Sequence, residues 1–252
     1  MPVTFVTAFL DLNKVEKRPN HKNTLFYIEK GIELISHPYS FAVFIDKDSY
    51  QLIPEKFKSM TNITFHIIDF ETLPVYQLQL TSQNLNLPLG RNKEKDTYHY
   101  LCVNISKTYL VEKAIEIDPY QSTHFAWIDF GILHIINNNS PEKECFANSL
   151  RTISNYNKNR IRIPGCFDPA RLRELSLLSF KDYPCWAFCG GFFCGEKNLL
   201  CSFSKDVLDV LKNLDFMTWE LNIWAHIYND NKKSESFDWY KADHNISILS
   251  NF

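Results

Sequence analysis

The sequence predicts a single α/β domain: a mostly parallel sheet flanked by helices. Three observations lead there. Residues 4–12, 41–46 and 63–70 are short, nearly continuous apolar runs, the pattern of strands covered on both faces. Between the first two, Leu25, Ile28, Ile32 and Ile35 recur at helical spacing. The chain has 252 residues, 45% hydrophobic and 15% aromatic, enough for one large core and incompatible with global disorder.

The elements follow in order. Strand 4–12, helix 23–35, strand 41–46 and strand 63–70 open the chain. Asp11, Asp46 and Asp69 stand near the ends of the three runs, where open α/β sheets carry their ligands. Residues 77–96 are polar, contain Pro88 and Gly90, and read mainly as a loop. A helix is expected over 106–117, stopped by Pro119. Residues 124–132 form the most apolar strand, whose one charge is Asp129. The Asn- and Lys-rich stretch 137–162 is too long for a plain connection and reads as a flexible flap or lid. A short strand at 161–165, a helix over 168–178, a Gly-broken strand over 185–195 and a helical zone over 204–228 precede the tail. No internal repeat or linker divides residues 1–252.

Composition excludes several classes. A formal net charge of −2 supplies no basic field for nucleic acid. There is no apolar run of about 18 residues to span a membrane. The opening MPVTFVTAFLDLNK lacks a basic n-region and reads as a strand, and seven cysteines, an odd number, suit reduced thiols. A cytoplasmic protein is expected, in which the sequons at Asn62, Asn104, Asn138 and Asn245 carry no glycan.

Asp129 is the first candidate for chemistry. A carboxylate ending an apolar strand needs a partner; a Mg2+ or Mn2+ ion is one, and a loop cap is the alternative. Asp129-Phe130-Gly131 copies a kinase magnesium motif, but no Gly-rich phosphate loop, strand lysine or catalytic HRD accompanies it. Asp243-His244-Asn245 offers a metal ligand, a hydroxyl acceptor or a surface turn. Gly190, Gly191 and Gly195 among bulky residues suggest either close approach of a sugar or diphosphate, or a bulge. Cys185, Cys189, Cys194 and Cys201 do not have the spacing of paired zinc knuckles. Glu220 is a candidate base, or a glutamate favouring a helix N-terminus. Arg91, Lys93, Lys95, Lys107, Lys158, Arg160 and Arg162 are candidate diphosphate groups, Lys107 foremost because it opens the helix before the Asp129 strand.

Taken in order, TFVTAFLDL, WIDFGI, FCGGFFCG, TWELNIWA and WYKADHNISILSNF resemble the HtrL/YibB-like (WlaTC/HtrL) glycosyltransferase family over essentially the whole chain. The resemblance implies a GT-A-like, Rossmann-like fold. It implies transfer of a sugar from a nucleotide-diphospho-sugar, UDP-linked by analogy, to a hydroxyl on a glycan or lipid-linked saccharide. The acceptor would bring peripheral contact with a membrane. On this reading Asp129 and His244 hold the divalent metal, Mn2+ or Mg2+, and Glu220 or Asp243 serves the acceptor. Thr7, Ala8 and Phe9 meet the nucleotide, Asp46 lies near the nucleoside, and Lys107 assists at the diphosphate. Gly190, Gly191 and Gly195 lie against the sugar. An Asp-x-Asp motif would place an acid at 127, which here is Trp127. That departure supports an alternative, a non-catalytic module that binds a sugar nucleotide or glycan. A phosphate-ester hydrolase would need a denser cluster of acids or histidines.

Overall fold

A computed structural model describes residues 3–16, 22–80, 86–137 and 139–252. The sequon at Asn138 and residues 81–85 of the expected loop lie outside them. Among the described residues seven strands make one sheet: β1 (Val3–Phe9), β2 (Ser40–Ile45), β3 (Ile63–Ile67), β4 (His124–Ile128), β5 (Ile161–Gly165), β6 (Phe192–Glu196) and β7 (Phe237–Lys241). Their spatial order is β3-β2-β1-β4-β6-β5-β7. The pairs β1–β2, β2–β3, β1–β4 and β5–β7 are parallel, while β6 runs antiparallel to β4 and β5. Every strand but β6 therefore points the same way, the mostly parallel α/β sheet that the apolar runs predict.

Those runs are continuous because the sheet is covered on both faces. On one face Val6, Phe44, Phe125 and Trp127 share a cluster with Leu110, Val111, Phe203 and Trp224. The latter four lie on helices Lys107–Ile117, Lys197–Lys212 and Glu220–Tyr228. On the other face Phe5, Phe41, Val43 and Ile128 pack with Ile28, Leu34, Phe146 and Leu150. These come from helices Thr24–Ile35 and Ser140–Ser154.

Local chemistry sets the ends of several elements. Asn23 caps helix Thr24–Ile35 by accepting from the Phe26 N–H. Helix Lys107–Ile117 ends at Asp118, which takes a positive φ of 24° directly before Pro119. The stretch 137–162 differs from its expectation as a flap. Asn139 caps a regular helix, Ser140–Ser154, which buries Phe146, Leu150 and Ile153. These recur at i, i+4 and i+7, a core-facing stripe masked by the polar composition around it.

Three other elements differ from expectation. Residues 77–80 of the expected loop belong instead to helix Pro74–Leu80, and helix Tyr98–Ile105 follows the expected loop. The helix expected over 168–178 is instead a 3-10 turn, Pro169–Leu172, and a short helix, Leu177–Phe180. The zone 204–228 is two helices separated by residues 213–219. Among the described residues no helix is long and apolar enough to cross a membrane.

Candidate functional site

β1 has β2 on one side and β4 on the other, so the strand order reverses between β1 and β4. In open α/β sheets a crevice forms outside the carboxyl ends of the strands at such a point. A two-lobed cleft lies there. One lobe, about 230 Å3, is walled by Ala8, Phe9, Tyr27, Trp127 and Phe130. The other, about 210 Å3, reaches Trp186, Gly190, Gly191, Glu220 and His244. Lys95, Tyr100, Asn104, Lys107, Asp129 and His134 line both. A roomier groove of about 630 Å3, lined by Asp206, His226 and Lys233 among others, lies apart from these residues.

Lys107 is the centre of the cleft's chemistry. It opens helix Lys107–Ile117, and Glu220 opens helix Glu220–Tyr228. The two helix starts meet, with Lys107 Nζ 3.2 Å from Glu220 Oε1. The same ammonium lies 3.1 Å from Asp129 Oδ1 and donates to the Gly190 carbonyl at 2.9 Å. An ammonium has three N–H donors, and here each has an acceptor. The side chains of Lys107 and Glu220 are only 4% and 5% exposed, whereas that of Asp129 is 38% exposed and faces the cleft. Burial disfavours the Lys107 charge, but Asp129 and Glu220 outweigh it and hold its pKa above the ordinary value. Two carboxylates against one ammonium leave a net negative charge on the cleft side.

Trp127 completes the arrangement. Its indole Nε1 donates to Asp129 Oδ1 at 2.7 Å. The residue standing where an Asp-x-Asp motif has its first acid thus orients the second. Lys107 Nζ also stands over the indole, 5.9 Å from its centroid. Tyr100 closes one wall. Burial first, then Glu220 and Asp129, push its phenol well up, so it remains a neutral hydroxyl.

The glycine block serves this cluster more than it serves an open surface. A Cβ on Gly190 would meet Glu220 Oε1 at 2.2 Å and Lys107 Nζ at 3.4 Å. A side chain at 190 would have to displace the Glu220 carboxylate that pairs with Lys107. Gly191 accepts from the Asp129 N–H at 3.0 Å and fixes the end of β4. Gly195 lies elsewhere: within β6, a Cβ on it would meet Leu200 and the backbone of Arg160 and Ile161. Its role is close packing of strands and helix, which corrects the expectation of a sugar contact.

The remaining candidates separate into those at the cleft and those away from it. Ala8, Phe9 and Trp127 wall the first lobe. Thr7 is fully buried in β1 and does not line it. Asp46 caps helix Lys47–Gln51, accepting from the N–H and Oγ of Ser49, and also receives the Asp11 N–H and pairs with Lys14 at 2.9 Å. Burial works against its charge, but the Ser49 and Lys14 contacts prevail and hold its carboxyl below the usual range. Its lone pairs are engaged by the fold and are not turned to a nucleoside.

Arg162 pairs with Asp238 at 2.7 Å and lies over the Tyr240 ring, and Lys158 faces the same Asp238. These cations brace β5 against β7 and are not at the cleft. Asp243 is exposed and outside the lining of either lobe. Sequence reasoning misses Tyr27, Tyr100, Asn104, His134 and Trp186. Polar or aromatic residues at the ends of buried elements are the one signal that could flag them.

The two expected metal ligands have different neighbours. Asp129 fits Mg2+ or Mn2+ as a lone protein ligand: it has a cleft-facing side, and such ions take one or two carboxylates together with phosphate oxygens. His244 instead stands with Cys166 and Cys189, their ligand atoms all within 4.8 Å of one another. That is a soft donor set, unlike the oxygen ligands those ions prefer.

No curated protein matches the chain. Solved structures with a similar course include mouse xyloside xylosyltransferase 1 in its apo form, with TM-score 0.45 and 11% identity over 96% of this chain and 86% of that one. A glycosyltransferase involved in glycosylation of the major capsid of PBCV-1 gives 0.43 and 10%, over 96% and 82%. 4-Diphosphocytidyl-2C-methyl-D-erythritol synthase from Anaerococcus prevotii DSM 20548 gives 0.47 and 9%, over 98% and 90%. Likeness at this level says nothing of substrate or reaction. Sequence similarity is more specific: the family model described as a bacterial protein of unknown function (HtrL_YibB) matches residues 1–217. In agreement with the quoted motifs that fall within those residues, TFVTAFLDL, WIDFGI and FCGGFFCG, the chain belongs to the HtrL/YibB family.

Proposed function

We propose that the protein transfers a sugar from a nucleotide-diphospho-sugar to a hydroxyl of a saccharide acceptor. The observation that carries this reading is the Lys107–Asp129–Glu220 cluster, set between two lobes at the switch point of the sheet. A nucleotide sugar needs an aromatic wall, cations for its diphosphate and a carboxylate for sugar hydroxyls. The first lobe offers Tyr27, Phe9 and Trp127 as wall, with Lys22 and Lys95 at its lining. Asp129 stands between the lobes, and Glu220 lines the second, where the acceptor would enter.

In the reaction the bond from the sugar C1 to the diphosphate oxygen breaks, and its electron pair leaves with the diphosphate. The acceptor oxygen bonds to C1 and releases its proton. Lys107, already charged and desolvated, holds Asp129 and Glu220 in position beside the cleft, so neither carboxylate has to reorganise during the reaction. In an inverting reaction Glu220 would receive the acceptor proton, a role that its position at the second lobe supports over the exposed Asp243. A Mg2+ or Mn2+ ion on Asp129 would add positive charge at the leaving diphosphate when bound. UDP-sugars are the first donors to test.

The test is donor hydrolysis and transfer by the wild type and Asp129→Ala, with and without manganese. The expected result is turnover that the substitution removes while the protein stays folded. Undiminished turnover in folded Asp129→Ala would overturn the assignment. A second reading, a binding module without turnover, draws on the engagement of both carboxylates by Lys107. It expects binding of a sugar nucleotide with no hydrolysis under any metal.

A further inference from the structure

Cys166, Cys189 and His244 come from three separate segments: the residue after β5, the stretch before Gly190, and the tail after β7. Backbone hydrogen bonds clamp these segments together. Cys189 N–H donates to the Pro164 carbonyl at 2.8 Å, Cys166 N–H to that of Trp186 at 2.8 Å, and Ala242 N–H to that of Gly165 at 2.8 Å. The two Sγ atoms are 3.8 Å apart. Two thiolates bound at about 2.3 Å to one tetrahedral ion stand about 3.8 Å from each other, so the spacing is already that of a metal-ligand edge. The ligand atom of His244 lies within 4.8 Å of both sulfurs, and the Trp186 ring meets its imidazole edge to face, with centroids 4.1 Å apart.

We propose that these three side chains bind one zinc-type ion, a soft divalent cation held by two thiolates and one imidazole. Borderline-soft Zn2+ suits sulfur and nitrogen donors, whereas Mg2+ and Mn2+ favour oxygen. Binding displaces the two thiol protons to solvent and changes no oxidation state. Because His244 is exposed at the wall of the second lobe, the ion has solvent on one side and a fourth position for water. The site pins the tail to the segment that continues into Gly190 and Gly191. It therefore steadies the carbonyl on which Lys107 rests. This site is distinct from Asp129 and does not depend on the transferase reading.

The experiment titrates Co2+ and then Zn2+ into reduced, metal-stripped full-length protein. One equivalent of Co2+ is expected to give the visible bands of a tetrahedral site and a thiolate charge-transfer absorption, both displaced by Zn2+. Cys166→Ser and Cys189→Ser each remove the charge-transfer signal or halve it. His244→Ala weakens binding by at least about tenfold, since losing a direct ligand costs more than losing an outer partner. Should a variant fail to fold, thiol alkylation of the folded wild type decides: Zn2+ should slow modification of the partly exposed Cys166 and leave that of Cys145 and Cys201 unchanged, Cys189 being buried with or without the ion. The proposal is overturned by an absence of stoichiometric binding to the reduced protein. It is equally overturned by an unchanged cobalt spectrum in folded cysteine variants, or by Cys166 alkylation that Zn2+ leaves unchanged. Closure of a Cys166–Cys189 disulfide in a protein that binds no metal when reduced would also refute it.

Discussion

Trp127 donates its indole N–H to the carboxylate of Asp129 at 2.7 Å, from two residues earlier in the chain. A strand alternates its side chains, so residues 127 and 129 face the same side as the sheet runs out. A second acid there would compete with the first for cations; the indole instead holds it in place. Trp127→Phe keeps most of the volume and removes the donor. Donor-ligand affinity or turnover should fall about tenfold or more, the ~1.5–3 kcal/mol of a hydrogen bond to a charged group. Titration calorimetry on the folded variant checks this.

Lys107 bridges two carboxylates from a buried position. Lys107→Met would leave Glu220 as an uncompensated buried charge and should cost ~3–5 kcal/mol in urea unfolding. Adding Glu220→Gln should recover much of that loss, because the unpaired charge is then gone. Equal losses in the single and double variants would mean that the lysine stem, not the ion pair, is what matters.

Gly190 and Gly195 test the division between site and scaffold. Gly190→Ala forces Glu220 aside and should cost ~1–3 kcal/mol while also weakening ligand binding. Gly195→Ala presses on Leu200 and strand backbone and should cost stability alone, ~1 kcal/mol, with binding retained. Thermal melts paired with ligand titration separate the two.

Asp46 gives a pH dependence. Its carboxyl is held below the ordinary value of 3.8, so its contribution is fully present above pH 3.8 and is lost as pH falls through the lower folded value. Asp46→Ala should cost ~1–2 kcal/mol near neutral pH, the usual worth of a helix cap. The gap from wild type should narrow below pH 3.8 in urea unfolding followed across pH.

The parallel sheet is legible in the sequence because burial on both faces leaves apolar runs with no polar interruption, as at 41–45 and 125–128. Helix Lys107–Ile117 is legible from its spacing and from Pro119. Helix Ser140–Ser154 is not, since Phe146, Leu150 and Ile153 are a thin stripe in polar surroundings. Helix Tyr98–Ile105 escapes because buried Leu101, Cys102, Asn104 and Ile105 show no clear one-sided pattern. Asp129, Lys107, Glu220 and Gly190 can each be singled out, but their meeting cannot. Lys107 and Glu220 are 113 residues apart, and no local periodicity encodes such a contact. The same holds for Cys166, which lies 23 residues from the Cys189 it faces.

The most direct measurement is calorimetric binding of UDP-, GDP-, CMP- and dTDP-sugars, with and without manganese, to the wild type and Asp129→Asn. A sugar-nucleotide transferase centred on Asp129 should bind one nucleotide class at one site per chain, with affinity lost or greatly reduced in the folded variant. Binding of none of these donors, or equal binding by wild type and Asp129→Asn, would contradict it.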